Sequence, residues 1–397
     1  MPDASGLEHG IFITESSDVA AALNTVTTSI IGAVVTAPMA DVALFPVNTP
    51  VLITAGKVAA AITAVGEQGT AATVLRAIAD IARAPVVLIR VVPGVDADAT
   101  NAAVIGADTA GAKSGMQALL SAEAKLGVKP RILGIPGLED AATIAALVVV
   151  AQKLRARAYC GAIGATLTEA TTFANGFDAR ELTLCWPDFI ATNGSGAAAT
   201  SYAGARAIAL RSLLDTTVGF HKTISNVAVP GVIGITKDVD FDPQSATCDA
   251  NLLNAGNVVA LIRTASGGFR FWGNITTASD TDFQFESDCR TAQILMDTIA
   301  EGLLPANDQP MTVSFAKSLV QEIDATMSRM VRKGQLIGGS ATLDPAKNPA
   351  AQLASGEIEI DYDYTAVSPA QRIGLTQRKT DTYYANFASA VSGNSGG

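Results

Sequence analysis

Hydrophobic residues fall in two rhythms along most of this chain, and the rhythm changes in the last third. From residue 27, short apolar runs alternate with longer segments whose apolar residues recur three and four apart. Ser29 to Thr36 is a β-branched run closed by Pro38, and Val51 to Thr54 is a second short run; both predict buried strands. Thr70 is placed to cap a helix carrying Val74, Leu75, Ile78 and Ile81 on one face. Pro85 ends that helix, and Val86 to Val92 is an apolar strand. Helices over Ser114–Leu126, Asp140–Ala156, Thr166–Asn175 and Ser201–Leu214 then interleave with strands over Arg131–Ile135, Ala158–Ile163 and Leu182–Trp186. Apolar strands that alternate with helices predict an α/β domain whose mostly parallel sheet is covered on both faces.

The last third reads differently. Val258 to Ile262 is an apolar strand, Gly267-Gly268 reverses the chain, and Phe269 and Phe271 alternate with Arg270 and Trp272. The Phe269/Phe271 face is expected against a core, with the other face open to a neighbour. Phe285 to Leu304 is a helix with Cys289, Ala292, Leu295, Met296, Ile299 and Leu303 inward. Thr312 to Lys333 is another, with Ala316, Leu319, Val320, Ile323, Met327 and Met330 inward and Gly334 as its stop. Glu357 to Tyr364 alternates strictly: Glu357, Glu359, Asp361 and Asp363 on one side, Ile358, Ile360, Tyr362 and Tyr364 on the other. That predicts a half-buried strand. Ser368-Pro369 breaks it, and Gln371 to Ala385 is a second extended segment carrying Arg372, Ile373, Leu375, Arg378 and Lys379.

The boundaries follow from these shifts. Residues 1–25 form an N-terminal arm with one candidate strand, Ile11-Phe12-Ile13; 26–245 are the α/β domain; 246–366 are a C-terminal α+β domain; 367–397 are a C-terminal arm. The arms either dock on their own body or pair with another chain. With 397 residues, 49% of them hydrophobic, the chain can bury a large core, and its net charge of −10 argues against a nucleic-acid partner. Its longest apolar runs fall short of the ~20 residues of a membrane span. Cys160, Cys185, Cys248 and Cys289 have no metal-binding spacing and are expected as buried thiols. The start of the sequence lacks a signal-peptide layout, so synthesis is expected in the cytosol.

Candidate chemistry is sparse. His9 and His221 are too far apart in sequence to suggest a shared metal site, and His221 is expected to be structural. Asp238, Asp240 and Asp242 imitate the opening of a calcium loop, but Pro243 stands where glycine is needed and Asp249 replaces the bidentate Glu. Asn193-Gly194-Ser195-Gly196 lacks the Lys-Ser/Thr of a phosphate loop. Ser314 and Lys317 have the spacing of a serine–lysine pair without its companion motifs. Arg76, Arg83 and Arg90 are expected to be solvated. No catalytic, cofactor or metal residue is assigned.

Several stretches carry a family resemblance. The segment Leu252-Leu253-Asn254 through Gly267-Gly268-Phe269-Arg270-Phe271-Trp272-Gly273 resembles the signature of contractile tail sheath proteins of P2-like phages and R-type bacteriocins. So do Gly127 to Leu138, Arg180 to Phe189, His221 to Val227, Arg290-Thr291-Ala292-Gln293, Asp361 to Thr365 and Gln377 to Asp381, in order along nearly the whole chain. Ile275 departs from it, standing where the family usually has Arg. The resemblance implies a structural subunit of stacked hexameric rings around an inner tail tube, with baseplate and terminator proteins at the ends. It implies an outer α/β domain, an inner C-terminal domain against the tube, and arms that exchange strands between subunits. Its place would be the tail of a virion or phage-tail-like particle, assembled in the bacterial cytoplasm. Lys317, Arg329, Arg332 and Lys333, at and near a helix end, are the candidate tube contacts. Arg372, Arg378 and Lys379 are candidates to face the acidic side of Glu357 to Asp363 in a partner. The competing reading is an α/β nucleotide-binding protein or enzyme with a β-rich C-terminal domain; tubes or rings under the electron microscope separate the two.

Overall fold

A computed structural model describes residues 27–392 apart from residue 266. The N-terminal arm and its Ile11, Phe12 and Ile13, together with His9, lie outside the described residues.

Eight strands form one sheet: β1 (Ile31–Thr36), β2 (Val51–Ile53), β3 (Val86–Val91), β4 (Ile132–Gly134), β5 (Arg157–Gly161), β6 (Leu182–Trp186), β7 (Val258–Arg263) and β8 (Phe269–Trp272). Their order is β8-β7-β6-β5-β4-β1-β3-β2. The six inner strands are parallel; β2 and β8 close the two edges antiparallel. Period-two alternation sends Ile31, Ala33 and Val35 to one core and Val34 to the other. Helices α1 (Ala71–Ile81) and α3 (Ala203–Thr217) cover the first core; α2 (Ala141–Leu154) covers the second. Helix α2 starts where Asp140 accepts the Ala142 N–H at 2.9 Å and Thr143 completes a reciprocal cap.

Three expectations change. The division near residues 240–249 falls inside this sheet, because Val258, Val259 and Ala260 of β7 pair in parallel with Leu184, Cys185 and Trp186. The β7–β8 hairpin therefore completes the large sheet, and the architecture changes only after Trp272. Ser114–Leu126 is not one α-helix: Gly115–Ser121 is a tighter 3-10 turn before a short α-helix over Ala122–Leu126. Its buried Met116, Leu119 and Ala122 recur every three residues, the period of that turn. Arg90 is buried rather than solvated, and its guanidinium donates to the Ala37 carbonyl at 3.1 Å.

The remainder is small. Helices α4 (Glu286–Gly302) and α5 (Val313–Arg332) pack with an antiparallel pair, β9 (Leu336–Thr342) and β10 (Asp361–Ala366). Leu295, Ile299, Ile323, Met327, Met330, Leu336 and Ala341 make its buried core. So few buried residues give a modest apolar gain, and an independent unit of this size is marginal. Helix α5 is capped by Thr312, which accepts the Phe315 N–H at 3.1 Å, and the chain turns away at Gly334 with φ 69°. No helix among the described residues is long and apolar enough to cross a membrane.

Candidate assembly site

Helix α4 joins the two parts, and it does so with charge. Glu286, Arg290, Gln293 and Asp297 recur at helical spacing and are all buried. Arg290 donates to the Thr28 carbonyl at 2.8 Å and the Arg131 carbonyl at 3.1 Å, and pairs with Asp215. Gln293 donates to the Ala156 carbonyl at 3.1 Å. Arg131 and Ala156 immediately precede β4 and β5, and Thr28 lies three positions before the first residue of β1, so one face of α4 caps the starting ends of the parallel strands. Arg211 bridges Asp215 at 2.8 Å and Glu286 at 3.2 Å, and Tyr159 and Thr223 also donate to Glu286. Farther along, Asp297 pairs with Arg131 and Arg155. Burial works against charge on Glu286 and Asp215, but Arg211 with Arg157, and Arg290 with Arg211, hold both carboxyls below their ordinary values. Breaking such a pair on one side leaves a buried charge alone, so the network fixes the angle between sheet and C-terminal unit.

Sequence reasoning missed this latch. Met296, placed inward, is 43% exposed, while Arg290 is buried. The only hint was that Arg290-Thr291-Ala292-Gln293 carried part of the family resemblance.

The return strand of the signature hairpin is buried on one face and half-buried on the other. Phe269 and Phe271 enter one core; Trp272 packs edge-on against Phe241 over the other, with ring centroids 4.7 Å apart. Arg270 stays within the chain, donating to the Asn226 carbonyl at 2.9 Å. Gly267 and Gly268 have φ of 93° and 86°, the left-handed region that a side chain resists. Ile275 points into the apolar core, so the ion pair implied by an Arg there has no counterpart here. Beyond Trp272, Gly273 at φ 126° lies so close to the Asn254 side chain that a Cβ would collide with it. His221, Asn226, Asn257 and Trp272 line a polar recess of about 730 Å³, and Val367 to Gln371, the root of the C-terminal arm, form its other wall. His221 is half-buried, and burial with Arg211 and Lys222 nearby lowers its pKa.

The predicted edge strand is shorter than its alternation suggests. Only Asp361–Ala366 pairs with Leu336–Thr342. Glu357 and Glu359 lie before it, where Asn348 takes both backbone groups of Glu359 at 2.8 Å and holds them out of the ladder. The acidic face is also partly engaged: Lys347 pairs with Asp361 at 2.7 Å and Glu359 at 3.7 Å, and Asp363 accepts from Ser340. The pair β9–β10 is a sheet of its own with two strands.

Residues 367–381, which include Arg372, Ile373, Leu375, Arg378 and Lys379, have no strand partner among the described residues of their own chain. Ile373 is 76% exposed and Leu375 90%. The tube-contact candidates are not one patch. Lys317 and Arg332 are fifteen positions apart on α5, about 22 Å along its axis. Arg329 donates to Thr326 at 2.8 Å and pairs with Glu322 at 3.6 Å; Arg332 and Lys333 are exposed at the helix end. Among the described residues no group of three or more His, Cys, Asp or Glu side chains is arranged for a metal. Asp242 and Asp249 accept backbone N–H groups of Gln244 and Asp240 within their loop, and Asn193 accepts those of Ser195 and Ala197.

A latched body with an unpaired arm and an open two-stranded sheet is the organisation of an assembly subunit, and comparison with known proteins agrees. The family model for the phage tail sheath protein central domain matches residues 111–277, and that for the phage tail sheath C-terminal domain matches 278–380. The model for the tail sheath protein Gp18 domain III N-terminal region matches 28–91. The chain belongs to the phage tail sheath protein family. It is 42% identical to the tail sheath protein of Escherichia phage P2 over 399 aligned residues, covering 98% of this chain and 100% of that one. It is 41% identical to the major tail sheath protein of Serratia phage KSP20, covering 96% and 98%. Its fold matches the contracted helical sheath of the anti-feeding prophage with a TM-score of 0.72 at 16% identity, covering 94% of this chain and 99% of that one. The protein is thus a structural subunit of a contractile tail sheath.

Proposed function

We propose that this subunit polymerises as stacked hexameric rings around an inner tail tube, starting at a baseplate and ending at a terminator protein. Contraction of the stack then drives the tube through a target envelope, using conformational energy stored during assembly. The observation that carries this reading is the C-terminal arm. It leaves the body at Ser368-Pro369, exposes Ile373 and Leu375, and has no strand partner among the described residues of its own chain. The β9–β10 pair offers the complementary feature, a short sheet with open edges. Strand exchange at those edges joins neighbours through backbone hydrogen bonds, while the linker at Ser368-Pro369 absorbs rotation. Arg372, Arg378 and Lys379 then set register against Asp363 and the part of the acidic face that Lys347 leaves open.

The α4 latch supports the same mechanism from within the subunit. It holds sheet and C-terminal unit together, which supports a contraction whose motion lies between subunits. We assign the C-terminal unit to the tube side and the α/β domain to the outside, with Arg332 and Lys333 the cations that approach the tube; Arg329 is already engaged. Deleting Ser368 to Gly397 is expected to give folded, soluble monomers that form no tubes by electron microscopy. Full-length contractile sheaths from that truncation would refute strand exchange at this end.

A further inference from the structure

The arm does not end with its extended stretch. Residues Thr382–Asn386 form a 3-10 turn that runs into a helix over Phe387–Ser392. Tyr383, Phe387 and Val391 recur every four residues, and Tyr384 joins them: its ring meets that of Phe387 edge-on with centroids 5.9 Å apart. All four are exposed, Tyr383 by 87% and Phe387 by 61%, and no charged residue occurs from Thr382 to Ser392. Among the described residues, nothing covers the apolar face of this tail.

The same chain carries a matching vacancy in its C-terminal unit. A groove of about 740 Å³ opens between the first turns of α5 and the short helix Ala350–Ala354. Met311, Val313, Ala316, Val320, Leu353 and Ile358 line it, and Val313 is 74% exposed. Lys317 stands on its wall, and Asp381 stands immediately before the tail stripe. Val313 and Ala316, in the first turn of α5, keep its helical apolar spacing but take no part in the unit's own small core.

We propose that the tail Tyr383–Val391 of one subunit docks in the α5 groove of a second copy, with Asp381 facing Lys317. The inference rests on the reading that the arm leaves its own subunit, and adds an anchor beyond the exchanged strand. Residues 369–381 supply the reach: thirteen extended positions span about 43 Å. Strand pairing alone tolerates slippage, since backbone bonds repeat along an edge. An aromatic stripe seated in one groove fixes the arm at a single position while rings rotate.

All four native cysteines are buried, so introduced cysteines report cleanly. Two full-length chains, one carrying Ala388→Cys and the other Ala354→Cys, are co-assembled and treated with a short bismaleimide. A parallel pair, Leu375→Cys with Thr365→Cys, reports the exchanged strand. Linked products from both pairs support the proposal. A product from the Leu375/Thr365 pair without one from the Ala388/Ala354 pair overturns the anchor and leaves strand exchange standing. The absence of both overturns the two together. A linked product within isolated monomers carrying both Ala388→Cys and Ala354→Cys also overturns it, since the tail then fills its own groove. As a second measurement, Phe387→Asp is expected to leave the circular dichroism of the monomer unchanged and lower sheath yield at least tenfold. Wild-type yield from that variant refutes the anchor.

Discussion

Replacing Arg290 by Met tests whether α4 is held by charge or merely lies against the sheet. The guanidinium is 1% exposed and makes three connections: to Asp215, to the Thr28 carbonyl at 2.8 Å and to the Arg131 carbonyl at 3.1 Å. Removing one partner of a buried ion pair costs about 3–5 kcal/mol. An orphaned buried carbonyl adds about 1–3 kcal/mol. Two connections survive the change: Asp215 retains Arg211 at 2.8 Å, and the Arg131 carbonyl retains the Arg157 N–H at 3.1 Å. Met fills most of the volume, so the net loss is expected at about 3–5 kcal/mol. The assay is urea unfolding of the soluble subunit followed by Trp186 and Trp272 fluorescence, both tryptophans being in the large sheet. Asp215→Asn in the Arg290→Met background should recover at least about 1.5 kcal/mol relative to the sum of the single changes. Asp215 and Glu286 both titrate below their unfolded values, so their contribution is complete above about pH 4.5 and is lost as pH falls through the lower folded values. The variant should therefore lose part of the acid-induced destabilisation of the wild type. A loss under about 1 kcal/mol from Arg290→Met, or strict additivity with Asp215→Asn, would show that the network does not hold the latch.

Other outcomes follow from individual side chains. Phe271→Ala removes a fully buried ring that meets Phe189 edge-on at 5.3 Å and should cost about 3–5 kcal/mol by urea unfolding; less than about 1 kcal/mol would mean the strand is not core. Glu139 is pushed up to about 7 by burial, against the Gly161 and Gly137 N–H groups that favour its charge. Its raised value makes the fold lose stability as pH rises from about 4.5 to 7, by about 1–2 kcal/mol after solvent screening at its half-open site. Glu139→Gln should flatten that limb of the melting-temperature profile, and an unchanged profile would exclude Glu139 as its origin. Reversing Arg332 and Lys333 to Glu should leave the monomer melting curve intact and weaken assembly on the tube, more at low salt than at high. Normal extended sheaths from that pair would remove these cations from the tube contact.

Local rules made the sheet visible in the sequence. Strands such as Val258–Ile262 are apolar on both faces because the sheet is covered on both. Gly267-Gly268 marked the hairpin because its backbone needs positive φ. The latch was invisible for the opposite reason. Glu286, Arg290, Gln293 and Asp297 at helical spacing are what a solvent-facing stripe contains, and only their partners in α3, in β5 and ahead of β1, β4 and β5 reverse that meaning. Alternation likewise extended the edge strand back to Glu357, whereas Asn348 decides that pairing begins at Asp361.

By itself, then, the sequence determined the alternating α/β body, the signature hairpin, the break at Ser368-Pro369 and the membership in the sheath family, since each depends on residues near one another in the chain. Only the tertiary structure decided that the hairpin completes the large sheet, that arginines fill the seam between sheet and C-terminal unit, and that Arg329 is engaged while Arg332 and Lys333 are exposed. These depend on which distant groups meet. A charge is expensive to bury alone and acceptable when paired, so its meaning is set by a partner as distant in sequence as Asp215 is from Arg290.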